Sequence, residues 1–257
     1  QFNDTEHAAS LFALKEFGNI YSRLGNPTVG ALEARLTALE DGAMSVALSS
    51  GTSAVMYSLI NIMSQGDNFV TANQLYGGTY TMFDNILPEY GIDSKKVDIT
   101  DLTAVENAID EKTRAIYCET ITNPGLVVAD ISGLGEIAKS KGIPLIVDAT
   151  FTTSAICKPF DFGADIVVYS LTKWMSGHGR VIAGAVIEKG GFDWGNGNFP
   201  LYDKPDTSYG GMRWGHDLGD LSNVAYSLRL RTVPLRNLGA SMSPETAFEV
   251  MSGLETL

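Results

Sequence analysis

The sequence predicts an α/β fold built around a mostly parallel β-sheet. Between residues 44 and 185, short apolar runs alternate with amphipathic segments. The apolar runs are nearly continuous, and strands of that kind are buried on both faces of a parallel sheet covered by helices. Hydrophobic residues make up 44% of the 257 residues, enough for one large domain or for one domain and part of another.

Five apolar runs have the length and composition of buried strands. Several of them are bounded by turn residues, such as Gln65 and Gly66 before the first run, and they are rich in Val, Ile and aromatic residues. The predicted strands are residues 67–72, 113–119, 143–148, 164–170 and 182–188.

Helices are predicted from apolar residues that recur at helical spacing. Residues 53–64 carry five such residues on one face, namely Val55, Met56, Leu59, Ile60 and Met63. Residues 102–109 and 131–141 show a similar pattern, and Gly142 is a typical stop for the latter helix. Residues 29–39 form a further predicted helix, after an extended stretch at residues 19–26.

The last third of the chain is less regular. Residues 190–220 are rich in Gly, Asp, Asn, Pro and aromatic residues, which indicates a long ordered surface segment, called here the excursion. From Leu221 a helix returns, with an interruption near Ser243 and Pro244. The helical pattern still continues at Leu257.

Composition and charge exclude several classes of protein. The net charge of -12 argues against nucleic-acid and anionic-membrane partners, which select for basic patches. No apolar run approaches the roughly 18 residues of a membrane helix, and the first residues lack the features of a signal peptide. Cys118 and Cys157 are predicted to be small buried residues in a reducing cytoplasm. His7, His178 and His216 lack metal-ligand spacing, so no metal site is predicted.

A lysine lies just beyond a predicted buried strand. Lys173 follows Ser170 and Thr172 at the position where an open parallel sheet binds ligands. A partly desolvated lysine there can act as a nucleophilic amine towards an aldehyde, and the two hydroxyls could donate to a phosphate. Taken alone, an ordinary surface lysine is the commoner interpretation of this motif.

Asp148 ends another predicted strand and strengthens the case for a ligand. A carboxylate buried at a strand end is costly unless it is paired, and a protonated pyridine nitrogen is one suitable partner. The alternative is a helix-capping aspartate that faces Thr150.

Two further motifs are weak when taken alone. Residues 49–53, S-S-G-T-S, open a predicted helix, where backbone amides can bind a phosphate, although simple N-capping by serine is common. Tyr76 could stack on a flat ring, or it could pack a loop. The helix start, Asp148 and Lys173 together indicate one ligand with a phosphate, a pyridine nitrogen and an aldehyde.

These residues resemble the Cys/Met metabolism family of fold-type I pyridoxal 5′-phosphate (PLP) enzymes. The resemblance runs over essentially the whole chain through the motifs Y-S-R-L-G-N-P-T (21–28), S-S-G-T (49–52), L-Y-G-G-T-Y (75–80), E-T-I-T-N-P (119–124), V-D-A-T (147–150) and Y-S-L-T-K (169–173). It implies a three-layer αβα sandwich with a mostly parallel seven-stranded sheet.

The resemblance also implies roles for individual residues. Lys173 would hold PLP as a Schiff base and later move protons, and with Tyr76, which would stack on the ring, it would be catalytic. The remaining cofactor contacts would be Asp148 at the pyridine nitrogen, Asn123 near the ring hydroxyl, Thr150 close by, and Gly51, Thr52, Ser170 and Thr172 at the phosphate. Tyr21 and Arg23 would reach the phosphate of a neighbouring subunit, which implies a homo-oligomer, expected to be a tetramer built of dimers.

Within the family, the chain is most similar to the O-acetylhomoserine sulfhydrylases. The segments at residues 191–209 and 235–244 resemble that group, and Gly78 stands where methionine γ-lyases usually have cysteine. The implied reaction replaces the acetyl group of O-acetyl-L-homoserine with sulfide or a thiol, giving homocysteine or methionine. Methionine γ-lyase, cystathionine γ-synthase or cystathionine γ-lyase activity is the alternative, and a non-catalytic PLP-binding scaffold is another.

The resemblance divides the chain into three parts. Residues 1–43 would contribute to the oligomer interface and to a neighbouring active site, and residues 44–240 would form the PLP-binding domain. Residues 241–257 would begin a C-terminal domain that is otherwise missing. Because that domain supplies the arginine for the substrate carboxylate, we expect this arginine to lie outside the chain.

Overall fold

The apolar runs of the sequence assemble into one seven-stranded sheet. The structure is a computed structural model that describes residues 2–13, 15–16 and 18–257, so Gln1, Leu14 and Phe17 of the predicted N-terminal segment lie outside the described residues. The strands are β1 Met44–Leu48, β2 Asn68–Ala72, β3 Asp93–Val97, β4 Thr113–Glu119, β5 Leu145–Asp148, β6 Ile166–Tyr169 and β7 Gly184–Glu188.

Five of these strands lie within the five predicted runs, whereas β1 and β3 were not identified individually. The sheet order is β1-β7-β6-β5-β4-β2-β3, so the two missed strands are the edges. β3 has the sequence D-S-K-K-V, and charged residues are typical of an edge strand that must not pair with another chain. A search for apolar runs does not detect such a strand.

The direction of the strands places one edge of the sheet in position to form a site. β7 runs antiparallel to both of its neighbours, β1 and β6. The pairs β2–β3, β2–β4, β4–β5 and β5–β6 are parallel. The carboxyl ends of β1, β2, β4, β5 and β6 therefore lie along the same edge, which confirms the predicted α/β class.

Helices and helical turns cover and connect the sheet. The α-helices are α1 Thr5–Phe12, α2 Pro27–Glu40, α3 Gly51–Ile60, α4 Gly77–Thr81, α5 Leu102–Ala108, α6 Ile131–Lys141, α7 Thr153–Ile156, α8 Pro200–Asp203, α9 Ala225–Leu230, α10 Arg236–Leu238 and α11 Pro244–Leu254. Short 3₁₀ segments lie at Leu87–Tyr90, Pro159–Phe162, Trp174–Ser176, Thr207–Tyr209 and Gly219–Val224, and π-helical turns at Met82–Ile86 and Arg231–Leu235.

The predicted helices form, with some changes at their ends. α6 has the predicted bounds, and Gly142 adopts the left-handed conformation (φ 66°) that ends a helix. α3 begins two residues earlier than predicted because Ser50 is its N-cap: the Ser50 hydroxyl accepts the Ser53 amide at 3.0 Å. α3 also ends at Ile60, before the predicted end at Ser64.

Two interpretations of irregular segments were wrong. The stretch at residues 19–26 is not extended, because the Tyr21 carbonyl accepts the amides of Leu24 and Gly25 at 2.8 and 3.1 Å and closes a tight turn. The excursion is not wholly a surface feature. Four of its six aromatic residues, Trp194, Phe199, Tyr202 and Trp214, are at most 2% exposed.

These buried excursion aromatics belong to the same hydrophobic core as the strands of the sheet. The Trp194 ring stacks on Tyr202 and on Tyr226, with centroid distances of 4.9 and 5.2 Å. Its indole N–H donates to Glu188 at the end of β7 at 3.4 Å. The buried rings tie the excursion to the core.

The end of the chain packs onto the same body. α11 lies against α2 and against the helical turn Trp174–Ser176, which follows Lys173. Arg35 on α2 forms an ion pair with Glu255 at 2.6 Å. The division at residue 241 stays a prediction.

Cys118 is buried and Cys157 half-buried, and both are free thiols. Within the described residues, none of the helices combines the length and apolar character needed to cross a membrane.

Candidate active site

A cavity of about 710 Å³ opens at the edge of the sheet where the parallel strands end. The segments that follow β1, β2, β4, β5 and β6 all contribute to its wall. Nine of the eleven predicted cofactor residues line it, namely Gly51, Thr52, Tyr76, Asn123, Asp148, Thr150, Ser170, Thr172 and Lys173. The topology therefore brings together positions that are up to 122 residues apart in the sequence.

The start of α3, with its backbone amides, lies at this cavity. Ser50 caps the helix, and the next residue, Gly51, is buried against Ser170. A Cβ on Gly51 would clash with the Ser170 side chain and would lie 2.7 Å from its Cα, so the close approach requires glycine. The exposed Thr52 side chain follows at the cavity wall. Helix amides beside small and hydroxylated side chains are well suited to bind a phosphate.

Asp148 lies half-buried in the cavity wall at the end of β5. Its Oδ1 accepts the Thr150 amide at 2.9 Å, and its Oδ2 accepts the Tyr117 hydroxyl at 3.3 Å. Burial raises the pKa of this carboxyl, while the Thr150 and Tyr117 hydrogen bonds partly oppose the increase. Asp148 therefore contacts Thr150 but does not cap a helix, because the N-cap of α7 is Thr152. It also faces a cavity in which a cationic ring nitrogen would stabilise its charge.

Lys173 lies on the turn after β6 and lines the cavity, but its side chain is exposed. The partial desolvation expected of this lysine stays a prediction. The neighbouring Thr172 hydroxyl donates to the Ala183 carbonyl at 3.1 Å and accepts the Ala183 amide at 3.0 Å. This pair fixes the Lys173 turn to the segment before β7. Because the Thr172 proton is already shared with a carbonyl, its role as a phosphate donor stays a prediction.

Tyr76 is half-exposed at the mouth of the cavity and immediately precedes α4. Its ring lies over Gly78, where a Cβ would be 2.7 Å from the ring atom Cε1. Gly78 thus gives the ring room to lie against its own loop. The exposure of the Tyr76 ring and its contact with Gly78 fit a ring that flanks a flat ligand. The stacking role itself stays a prediction.

Glu119 is a cavity residue that the sequence analysis did not identify as part of the site. It ends β4 and lies directly beside Asp148 on β5, and it is 6% exposed. Its two oxygens accept backbone amides from Tyr76 and Asn123 at 2.7 and 3.0 Å. Its position at a strand end, equivalent to that of Asp148, was the signal that could have found it.

Tyr21 and Arg23 do not line the cavity of their own chain. Both are exposed, and the Arg23 guanidinium lies 5.1 Å from the centre of the Tyr21 ring and donates to the Arg236 carbonyl. This location leaves them available to another molecule, and their predicted role in a neighbouring subunit stays a prediction. His178, in the turn after Lys173, is exposed. Within the described ranges, no three His, Cys, Asp or Glu side chains are arranged to hold a metal ion.

Comparisons with known proteins identify the family of the chain. Residues 1–257 match the family described as Cys/Met metabolism PLP-dependent enzyme. The chain is 44% identical over 261 residues to O-acetyl-L-homoserine sulfhydrylase of Leptospira meyeri, covering all of this chain and 59% of the relative. It is 43% identical over 259 residues to homocysteine synthase of Schizosaccharomyces pombe, covering all of this chain and 60% of that protein. The chain thus spans about 60% of the length of these curated relatives.

Solved structures give the same family. A crystal structure of an O-acetylhomoserine (thiol)-lyase from Campylobacter jejuni, with pyridoxyl-lysine-monophosphate, has a TM-score of 0.95 and 40% identity. The match covers all of this chain and 63% of that chain. Cystathionine γ-lyase from Lactobacillus plantarum has a TM-score of 0.75 and 31% identity, over 94% of this chain and 54% of that one. The chain therefore belongs to the Cys/Met metabolism family of PLP-dependent enzymes.

Proposed function

We propose that the protein is a PLP-dependent transferase that replaces the acetyl group of O-acetyl-L-homoserine with sulfide or a small thiol, releasing homocysteine or methionine and acetate. The observation that carries this proposal is the cavity, which combines a strand-end lysine, a half-buried aspartate and a glycine-opened helix start. The relatives named O-acetyl-L-homoserine sulfhydrylase and homocysteine synthase support the choice of substrate.

The residues of the cavity fit PLP in their chemistry. The phosphate would bind the amides at the start of α3, where Gly51 leaves room beside Ser170. The Asp148 carboxylate would pair with the ring nitrogen, and Lys173 Nζ would bind the aldehyde carbon. Each of these three groups of the ligand thus has a complementary group in the cavity wall.

The bound cofactor supplies an electron sink, and the protein supplies positioning and proton transfer. In our proposal, Lys173 Nζ takes a proton from the substrate and returns it at a neighbouring carbon. Tyr76 limits the movement of the ring and keeps water away from one of its faces. Asp148 keeps the ring nitrogen protonated because its carboxylate is half-buried and accepts two hydrogen bonds that hold it in place.

Attachment of the cofactor to Lys173 can be tested without measuring turnover. We expect incubation with PLP followed by borohydride to leave a pyridoxyl group on the peptide that contains Lys173. Peptide mass spectrometry after this treatment should find no such group in Lys173→Ala. The matched control is Lys204→Ala, which removes another exposed lysine and should be labelled like the parent protein. Labelling elsewhere, or equal labelling of Lys173→Ala, would contradict the assignment.

The reaction itself is tested by its products. In the longer protein that carries the C-terminal domain, we expect sulfide-dependent homocysteine formation from O-acetyl-L-homoserine, and at least about a thousandfold loss in Lys173→Ala. The similarity to a cystathionine γ-lyase makes elimination the second candidate, and it would release ammonia and a keto acid without consuming sulfide. Cofactor labelling without either reaction would support a non-catalytic scaffold instead.

The complete site includes groups beyond this chain in our proposal. Tyr21 and Arg23 are exposed in a turn and would complete the phosphate site of a neighbouring subunit, in a tetramer built of dimers. The arginine that binds the substrate carboxylate would come from a C-terminal domain that residues 241–257 begin. We place the enzyme in the cytoplasm.

A further inference from the structure

Glu119 occupies an unusual position beside the candidate cofactor site. It ends β4, and its Cα pairs with that of Asp148 on β5, so two carboxyl groups lie at adjacent strand ends. It lines the cavity although only 6% of it is exposed. A buried carboxylate next to another acid costs free energy, and it persists only where its oxygens have good partners.

The partners of Glu119 are two backbone amides on separate loops. Oε1 accepts the Tyr76 amide at 2.7 Å, and Oε2 accepts the Asn123 amide at 3.0 Å. Tyr76 follows β2 and Asn123 follows β4. One side chain therefore connects two loops that are far apart in the sequence. Hydrogen bonds to an ionised acceptor are shorter and stronger than those between neutral groups.

The charge of Glu119 is sensitive to its surroundings. Burial, and next the nearby Asp148, raise the pKa of Glu119 to about 7, while the two amides oppose the increase. The titratable groups that face it are Asp148 on β5 and, around the same cavity, Tyr76 and Lys173. Both amides bind an ionised carboxylate well, whereas a protonated carboxyl has one oxygen that accepts poorly.

We propose that Glu119 is a positioning residue that fixes the Tyr76 ring and the Asn123 side chain at the cofactor site by binding both of their backbone amides. The inference rests on the proposed function, because Tyr76 and Asn123 contribute to catalysis only if PLP binds in this cavity. Glu119 itself acts through these two residues.

Glu119→Gln tests the proposal with little change in shape. Glutamine keeps one accepting oxygen and replaces the other with an NH₂ group that cannot accept an amide. In the protein without PLP, we expect hydrogen-exchange protection of the Tyr76 or Asn123 amide, or of both, to fall about tenfold. The control is Glu89→Gln, which changes an exposed glutamate and should leave both amides protected.

A pH profile separates this role from a general structural one. In the parent protein, protection of the two amides, corrected for intrinsic exchange, should rise as the pH increases from about 6 to about 8. In Glu119→Gln it should be low and independent of pH. If the variant does not fold, the dependence of amide protection on pH in the parent protein still tests the proposal. Protection that does not change with pH would overturn it.

Cofactor binding completes the test. We expect Glu119→Gln to bind PLP about tenfold more weakly than the parent while still attaching it at Lys173. Unchanged protection of both amides overturns the proposal whatever the affinity for PLP. A third outcome is that Glu119→Gln loses amide protection while the parent protein binds no PLP. That result would support the two loop contacts and overturn the proposed function.

Discussion

At the scale of single residues, the absence of a side chain is as important to this site as the groups that are present. Gly51 is buried against Ser170, and no larger residue fits between the start of α3 and the turn after β6. This contact brings helix amides and the Ser170 hydroxyl to one corner of the cavity, where a phosphate would be bound from both sides. The position of the phosphate therefore depends on a backbone contact.

Gly51→Ala should weaken phosphate binding specifically. Its Cβ would lie 2.7 Å from both the Cα and the Oγ of Ser170, so α3 and the Ser170 turn must separate. We expect the affinity for PLP to fall about tenfold or more, and the affinity for pyridoxal, which lacks the phosphate, to change much less. Titrations of the two ligands, followed by absorbance, measure the difference.

The control for this substitution is Gly30→Ala. Beyond the helix's own backbone, no heavy atom of the described residues lies within 4 Å of a Cβ at Gly30, which is exposed near the start of α2. Alanine there should leave PLP affinity unchanged and stabilise the helix by up to about 1 kcal/mol. An equal loss for PLP and pyridoxal in Gly51→Ala would indicate general damage to the site and contradict the phosphate assignment.

At the scale of elements, α11 determines how the Lys173 turn is supported. Gly253 on α11 packs directly on the backbone of Ser176 and Gly177, where a Cβ would clash with the Ser176 carbonyl and lie 2.9 Å from the Gly177 amide. Arg180, further along the same loop, forms an ion pair with Glu249 of α11 at 2.6 Å. The turn after Lys173 thus lies between β7 and α11.

Gly253→Ala should therefore destabilise the protein and loosen the lysine turn. Overpacking of this kind costs about 1–3 kcal/mol in the free energy of unfolding, measured by urea denaturation. The control is Ser252→Ala on the same helix, which should change stability by less than about 0.5 kcal/mol. If Gly253→Ala were as stable as the control, α11 would not be packed against the turn as described.

The elements also show which features a sequence can predict. β5 and β6 were predicted because buried parallel strands are apolar throughout, and Lys173 and Asp148 were found because they follow such strands. β3 was missed because its edge position favours charge over apolar residues. Glu119 was missed because its role lies in accepting the amide of a residue 43 positions away, and that contact exists only once β2 and β4 are paired.

The excursion was misjudged for a different reason. Its glycine, asparagine and aspartate residues indicate loops, and loops do form there. Its aromatic residues, however, pack on one another and on Tyr226, which composition alone does not reveal. This segment combines local turns with long-range packing of aromatic rings. Its sequence predicts the turns, but it does not predict the packing.

At the scale of the whole molecule, buried carboxyl groups link stability to pH. Burial raises the pKa of Glu40, Glu119 and Glu188 to about 7, and that of Asp165 to about 6. In each case the folded protein favours the protonated acid more than the unfolded chain does. Their contribution to stability is therefore fully present below the unfolded pKa values, near 4, and is lost as the pH rises through about 6 to 7.

The free energy of unfolding should consequently decrease between pH 5 and pH 8, and Glu40 provides the clearest test. The Tyr169 hydroxyl donates to Glu40 Oε1, while Oε2 is buried and has no hydrogen-bond partner among the described residues, so ionisation of this acid is poorly compensated. Glu40→Gln cannot ionise, and we expect it to lose about 2 kcal/mol less stability over this pH range than the parent protein. Urea denaturation of both proteins at pH 5 and at pH 8 gives the slope of the free energy of unfolding against pH for each protein. Glu136→Gln, which changes an exposed glutamate, should retain the parent slope, and an equally steep slope in Glu40→Gln would show that Glu40 does not titrate in this range.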